Sequence, residues 1–174
     1  MARTREIKKR ILAVRTIQRI TKTMQMIATA RFTTAVQRVQ ASRPYTEKVQ
    51  GLVAEAMAAA FDFEHSLIDG PVESPGRERL LVISSNRGLC GAYNANTLRT
   101  AMDQVRRLRD QGVEIDLETA GKKAVGFFRF QKISIAHRHT IDDQPPYEQI
   151  ESIAERYIEE FMAGRHDAVR VAHM

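Results

Sequence analysis

Leu80-Leu81-Val82-Ile83-Ser84-Ser85-Asn86-Arg87-Gly88-Leu89-Cys90-Gly91-Ala92-Tyr93-Asn94 decides the fold class of this chain. The stretch opens with a short apolar run, the length of a buried strand and too short for a helix. A glycine-bearing turn follows. Asn94 to Gln111 then sets Leu98, Met102, Val105 and Leu108 on one helical face, with Gly112 past the end. The alternation repeats downstream. Val113 to Leu117 reads as a second strand, Lys122 to Phe130 as a short helix, and Ile133 to Ala136 as a third strand. Pro145-Pro146 opens a helix from Tyr147 to Ala163, with Ile150, Ile153, Tyr157, Ile158 and Phe161 facing inward and Gly164 ending it. Asp167 to Ala172 starts a fourth strand. This β-α-β-α-β-α-β order predicts an α/β domain over residues 77–174, Rossmann-like, with a parallel sheet and right-handed crossovers.

Such a fold invites a nucleotide claim, and the first turn does not meet it. A dinucleotide fingerprint needs G-x-G-x-x-G, and a phosphate loop needs G-x-x-x-x-G-K-[ST]. Gly88 and Gly91 supply only G-x-x-G, without a following Lys-Ser or Lys-Thr. Gly88, Cys90 and Gly91 therefore read as a structural turn, built for close packing or a positive φ, with no cofactor. Cys90 as a nucleophile would need a base, and nothing local fixes His137, His139, His166 or His173 beside it. His137 and His139 lack an evident third ligand, so no metal site is expected. Glu148, Glu151, Glu155, Glu159 and Glu160 read as a solvated helix face. No catalytic residue is assigned.

Upstream, residues 61–76 carry Gly70, Pro71, Pro75 and Gly76 and read as a linker, with His65 solvated. Residues 1–60 read as one long helix. Ile7, Ile11, Val14, Ile17, Met24, Ala28, Ala35 and Val39 recur at steps of three and four, with one longer gap at Thr21. Pro44 is the first breaker and predicts a kink, after which Val49, Leu52, Val53, Ala56, Met57 and Ala60 resume the pattern. Residues 4–60 would extend about 85 Å. A near-seven repeat of that length asks for a partner helix, as half of an antiparallel coiled coil.

Charge separates the two parts. Residues 1–43 hold eleven basic side chains against one acid, Glu6, a net of +10, while the other 131 residues sum to −4 within a chain of +6. A basic arm attracts something acidic, and the remainder resembles an ordinary globular body. No apolar run reaches the roughly 18 residues of a membrane span, and the charged start is no secretory signal. The single cysteine among 174 residues excludes an internal disulfide.

Three stretches carry a resemblance: Gln18-Arg19-Ile20-Thr21-Lys22-Thr23-Met24-Gln25-Met26-Ile27-Ala28, then Ala41-Ser42-Arg43-Pro44-Tyr45, then Ser85 to Gly91 with Tyr93 and Asn94. In this order and spacing the chain resembles the gamma subunit of rotary proton-translocating ATP synthases. The resemblance implies a subunit without bond chemistry of its own, the central stalk that couples proton-driven rotation to ATP synthesis or hydrolysis in a ring of alpha and beta subunits. It implies contact of Arg10, Arg15, Arg19, Lys22, Met24 and Met26 with that ring. It further implies an epsilon subunit and a membrane c-ring at the foot, and a peripheral location on the cytoplasmic face of a bacterial membrane, without membrane insertion. The family usually has Asp where Asn86 stands. Its members are also longer, with a C-terminal helix that returns antiparallel to the first. The sequence is therefore expected to be an N-terminal portion whose own C-terminal helix is the missing partner. The main alternative is a nucleic-acid-binding protein whose basic helix lies along phosphates. That reading explains the charge but not the apolar stripe on the same helix.

Overall fold

The computed structural model describes residues 2–59, 65–70 and 74–174. The chain divides into two units, Met1–Phe63 and Glu64–Met174.

The first unit is a helix, α1, Ala2–Ala59. Its 58 residues make a rod of about 87 Å at the usual rise. The sequence permits it: no glycine precedes Gly51, and Ala, Arg, Lys, Gln and Met recur throughout. Threonines, poor helix formers in general, bond their hydroxyls to their own helix. Thr16, Thr21, Thr23, Thr33 and Thr34 each donate Oγ1–H to the carbonyl four residues back, at 3.0–3.1 Å. Pro44 lies inside the helix without ending it. Apart from half-buried Val36, every described side chain from Arg3 to Ala59 is exposed. The stripe at strict intervals of seven, Ile7, Val14, Thr21, Ala28, Ala35, Ser42, Val49 and Ala56, therefore has no core beneath it.

Of the expected linker, residues 61–64 and 71–73 lie outside the described residues, as does Ala60. Within it, Ser66–Asp69 form a one-turn helix, α2. His65 is its cap rather than a solvated loop residue. Its Nδ1 accepts the Leu67 N–H at 3.2 Å, and Asp69 Oδ2 accepts the His65 N–H at 2.7 Å, a reciprocal arrangement like a capping box.

The second unit continues as β1 Arg77–Ile83, α3 Tyr93–Asp110, β2 Glu114–Ala120, α4 Lys122–Phe130, β3 His137–His139, α5 Tyr147–Met162 and β4 Ala168–Ala172. The strands form one parallel sheet in the order β3-β2-β1-β4. Leu80 sits opposite Leu117 on one side and Arg170 on the other. The third strand is displaced from its expected place. Ile133–Ala136 is a connection, and the ladder with β2 starts only at His137, opposite Glu118. Lys132, at φ 56°, turns the chain out of α4, and the next residues descend to the sheet. Their apolar character has a different cause: Ile133 and Ile135 pack against the core from that loop.

The two faces of the sheet differ. On one, Leu80, Val82 and Leu117 pack with Leu98, Ala101 and Val105 of α3 and Ala124 and Phe128 of α4. On the other, Leu81, Ala120 and Tyr157 form a smaller apolar cluster beneath α5. Ile83 and Val169 pack against that cluster, and the same face also buries charge. Arg79, Glu118 and His166 are almost completely buried there.

Candidate functional site

Two regions carry the residues singled out by the sequence: the N-terminal half of α1 and the β1–α3 turn. On α1, helical spacing splits the six named side chains. Arg15, Arg19, Lys22 and Met26 follow one another at steps of four, three and four, so they share a face. Arg10 and Met24 flank Ile17 at steps of seven and lie on the apolar stripe instead. All six are exposed, Met24 by 47% and Met26 by 67%. Arg10 is paired with Glu6 at 2.7 Å. Arg15, Arg19 and Lys22 make no ion pair among the described residues, so that face presents three uncompensated cations beside a polarizable thioether. On the stripe, Thr21 Oγ1 donates within its own helix, to the Ile17 or Gln18 carbonyl, each at 3.0 Å. That bond satisfies the hydroxyl at the one polar position of the stripe between Val14 and Ala28.

The β1–α3 turn is held by side-chain amides. Asn94 Oδ1 accepts the Ser85 N–H at 3.0 Å, and Asn94 Nδ2 points to the Cys90 thiol at 3.0 Å. Cys90 is half-buried and free, and no histidine stands within hydrogen-bond reach of it among the described residues. Asn86 bridges two further elements. Its Oδ1 accepts the Lys122 N–H at 3.2 Å, and its Nδ2 donates to the Ile141 carbonyl at 3.1 Å. An aspartate could make only the first of these, so the amide has a role here that a carboxylate lacks. Gly91 has φ 57°, as a turn glycine should, whereas Gly88 has ordinary φ and open space. The positive φ beside it belongs to Leu89, at 63°, with its side chain 93% exposed. Close packing falls elsewhere, on Gly121 at the head of α4. A Cβ there would lie 2.1 Å from the Ser84 carbonyl oxygen.

Sequence reading missed the charged cluster beneath α5. Glu118 Oε2 accepts from Arg156 at 2.7 Å, Tyr157 OH at 2.8 Å and His139 Nε2 at 2.6 Å. Arg79 Nε lies 3.1 Å from Glu118 Oε1, an ion pair whose alignment falls short of a hydrogen bond. The Arg79 and Arg156 guanidinium groups stack against the Tyr157 ring at 4.9 and 5.0 Å from its centroid. Arg79 also pairs with Glu160, which is therefore no part of a solvated face. His166 Nε2 lies 2.8 Å from Asp116 Oδ2. Burial alone pushes the Glu118 carboxyl up. The hydrogen bonds from Arg156, Tyr157 and His139, with the charge of Arg79, outweigh burial and bring it down to about 2. Burial, with the neighbouring carboxylate, pushes the Tyr157 phenol up; burial lowers His139 despite Glu118. The cluster fastens α5 to the sheet. Among the described residues no three His, Cys, Asp or Glu side chains converge as a metal site.

Comparison with known proteins matches residues 3–174 to the family model described as ATP synthase. The ATP synthase gamma chain of Rhodopirellula baltica is 38% identical over 174 residues, covering 99% of this chain and 58% of the relative. That of Histophilus somni is 35% identical over 99% of this chain and 60% of its own length. That of Mycolicibacterium smegmatis is 40% identical over 95% and 54%. The chain thus spans between 54% and 60% of the length of these relatives. A long basic helix, a parallel α/β unit and a match running through both lead to one assignment: the chain belongs to the ATP synthase gamma family.

Proposed function

We propose that this chain belongs to the central stalk of a proton-translocating ATP synthase and couples rotation to ATP synthesis or hydrolysis in the alpha/beta ring. In this reading it is a non-catalytic subunit. The observation that carries the proposal is α1: 58 residues of helix with an uncovered apolar stripe, in a chain matched along its length to gamma chains. A rod serves a rotor because its length carries a displacement at one end to the other. The stripe is the seat of a second helix of the axle. The face of Arg15, Arg19, Lys22 and Met26 meets acidic segments of the ring. Opposite charges attract over several ångströms without a fixed docking geometry, so each ring state is biased but none traps the shaft. The α/β unit is the foot, beside an epsilon subunit and a membrane c-ring. No helix of the described residues is long and apolar enough to cross a membrane, and peripheral attachment at the cytoplasmic face of a bacterial membrane completes the reading.

Binding of the full chain to an assembled alpha/beta ring tests it. Arg15→Glu, Arg19→Glu and Lys22→Glu together should weaken binding by tenfold or more at low salt. The difference should shrink as ionic strength approaches ~0.5 M. Equal ring affinity for the triple variant, or stronger retention of the chain by duplex DNA than by the ring at physiological salt, would refute the assignment.

A further inference from the structure

The outward side of α5 is not a plain acidic face. Tyr147, Ile150, Ala154, Ile158 and Met162 follow at steps of three and four, so they form a second apolar stripe beside the residues that face the sheet. Tyr147 is 73% exposed, and Ile150, Ile158 and Met162 are between 42% and 46% exposed. On the solvent side the stripe is bordered by Glu148, Glu151, Glu155 and Glu159, all exposed. The short helix α2, with exposed Leu67 and Ile68, packs against α5. Four carboxylates along an apolar strip of about 24 Å are the counterpart of a basic amphipathic helix. This chain carries such a helix. The first 43 residues of α1 combine a net charge of +10 with an uncovered apolar stripe.

We propose that the Tyr147–Met162 stripe with its glutamate border is a docking surface for a basic amphipathic helix, and that in solutions of this chain the occupant is α1 of a second copy. The charge pattern selects this pairing over the obvious competitor. Two whole α1 helices laid along each other would bring nine net positive charges against nine, which repel. An α1 helix on α5 brings basic side chains to glutamates while covering apolar surface on both. The contact joins different patches of the two copies, so it is heterologous and extends beyond a dimer unless the ends close. The α1 stripe it uses is the one the stalk reading gives to a second axle helix, so the inference describes the chain outside an assembled stalk, and its test needs only the two exposed surfaces.

Sedimentation of the full chain over a range of concentration and salt decides it. Association is expected at low ionic strength and should weaken at least tenfold near ~0.5 M salt, where charges more than a few ångströms apart are screened. Glu151→Lys, Glu155→Lys and Glu159→Lys together should abolish it, and Ile150→Ser with Ile158→Ser should weaken it at every salt concentration. Far-UV circular dichroism verifies that each variant keeps its fold. Three results would overturn the proposal. One is a monomer at every concentration, as α1 folding onto its own α5 would give. Another is association that strengthens with salt, the mark of paired α1 helices. The third is association indifferent to both sets of α5 substitutions.

Discussion

Glu118 is a buried carboxylate that stays charged because every neighbour within reach is a donor or a cation. Removing one partner of such a cluster strands the others, so Glu118→Ala should cost about 3–5 kcal/mol in the unfolding free energy of the α/β unit. The pH dependence follows from two groups with depressed folded-state values. Glu118 sits at about 2 against an ordinary 4.5. Its contribution is complete above the ordinary value and is lost as pH falls from there towards 2. His139 is held below its ordinary 6.5 by burial. The unfolded chain takes up that proton first, so stability also declines as pH drops below 6.5. Urea titrations between pH 8 and 3 should show both declines, and Glu118→Gln should remove the lower one. A lower limb unchanged in Glu118→Gln would mean that another group carries it. The strand composition hid this cluster. Glu114, Asp116 and Glu118 alternate with Ile115, Leu117 and Thr119, a pattern that ordinarily marks a sheet open to water on one side. Here α5 covers the polar side and meets it with Arg156 and Tyr157. Alternation distinguishes the faces of a strand but does not tell which element lies on each.

Elements with a strong period were legible: α3, α4 and α5 lie within a residue of where their apolar positions place them, and β1 surrounds its apolar run. The third strand was not, because Ile133 and Ile135 are half-buried against the core from a loop while the ladder uses His137, Arg138 and His139. On α1 the six ring-contact candidates were legible as residue types, but their division between two faces needs the helix itself. Pro44 belongs to this scale. Its ring nitrogen has no proton, so the Gln40 carbonyl loses its helical donor, and the chain must bend or hydrate there. Neighbouring hydroxyls bond back into the helix, Ser42 Oγ to the Val39 carbonyl at 3.1 Å and Thr46 Oγ1 to that of Ser42 at 3.3 Å. Pro44→Ala should restore the missing bond and stabilise the local helix by up to ~3 kcal/mol. Amide hydrogen exchange over residues 41–48 should slow by tenfold or more, with no change in α3. Exchange that stays equally fast would show that this segment opens by a process the proline does not control.

At the scale of the molecule, the chain joins two kinds of stability. The α/β unit owns a core: Leu80, Val82, Val105, Leu108, Leu117 and Phe128 are fully buried within it. Such a unit unfolds cooperatively, because removing any strand exposes the others. The rod has only half-buried Val36 and otherwise exposed side chains from Arg3 to Ala59. Its order in the free chain comes from backbone bonds and helix propensity, and a helix of that kind frays gradually. In ~0.5 M salt, where charge-driven association is suppressed, heating should therefore separate two signals. Helical circular dichroism should decline over a broad range as α1 melts, while the near-ultraviolet signal, with Tyr93 and buried Tyr157 in the α/β unit, should show one sharp transition. Ile7→Ser, Val14→Ser and Ile17→Ser should leave that sharp midpoint within about 2 °C of its place, since a shift of several degrees would need about 1 kcal/mol of lost packing in the α/β unit. A single coincident transition, displaced by those substitutions, would mean that the rod owes its order to burial, and its uncovered stripe could not then be a surface kept free for another helix.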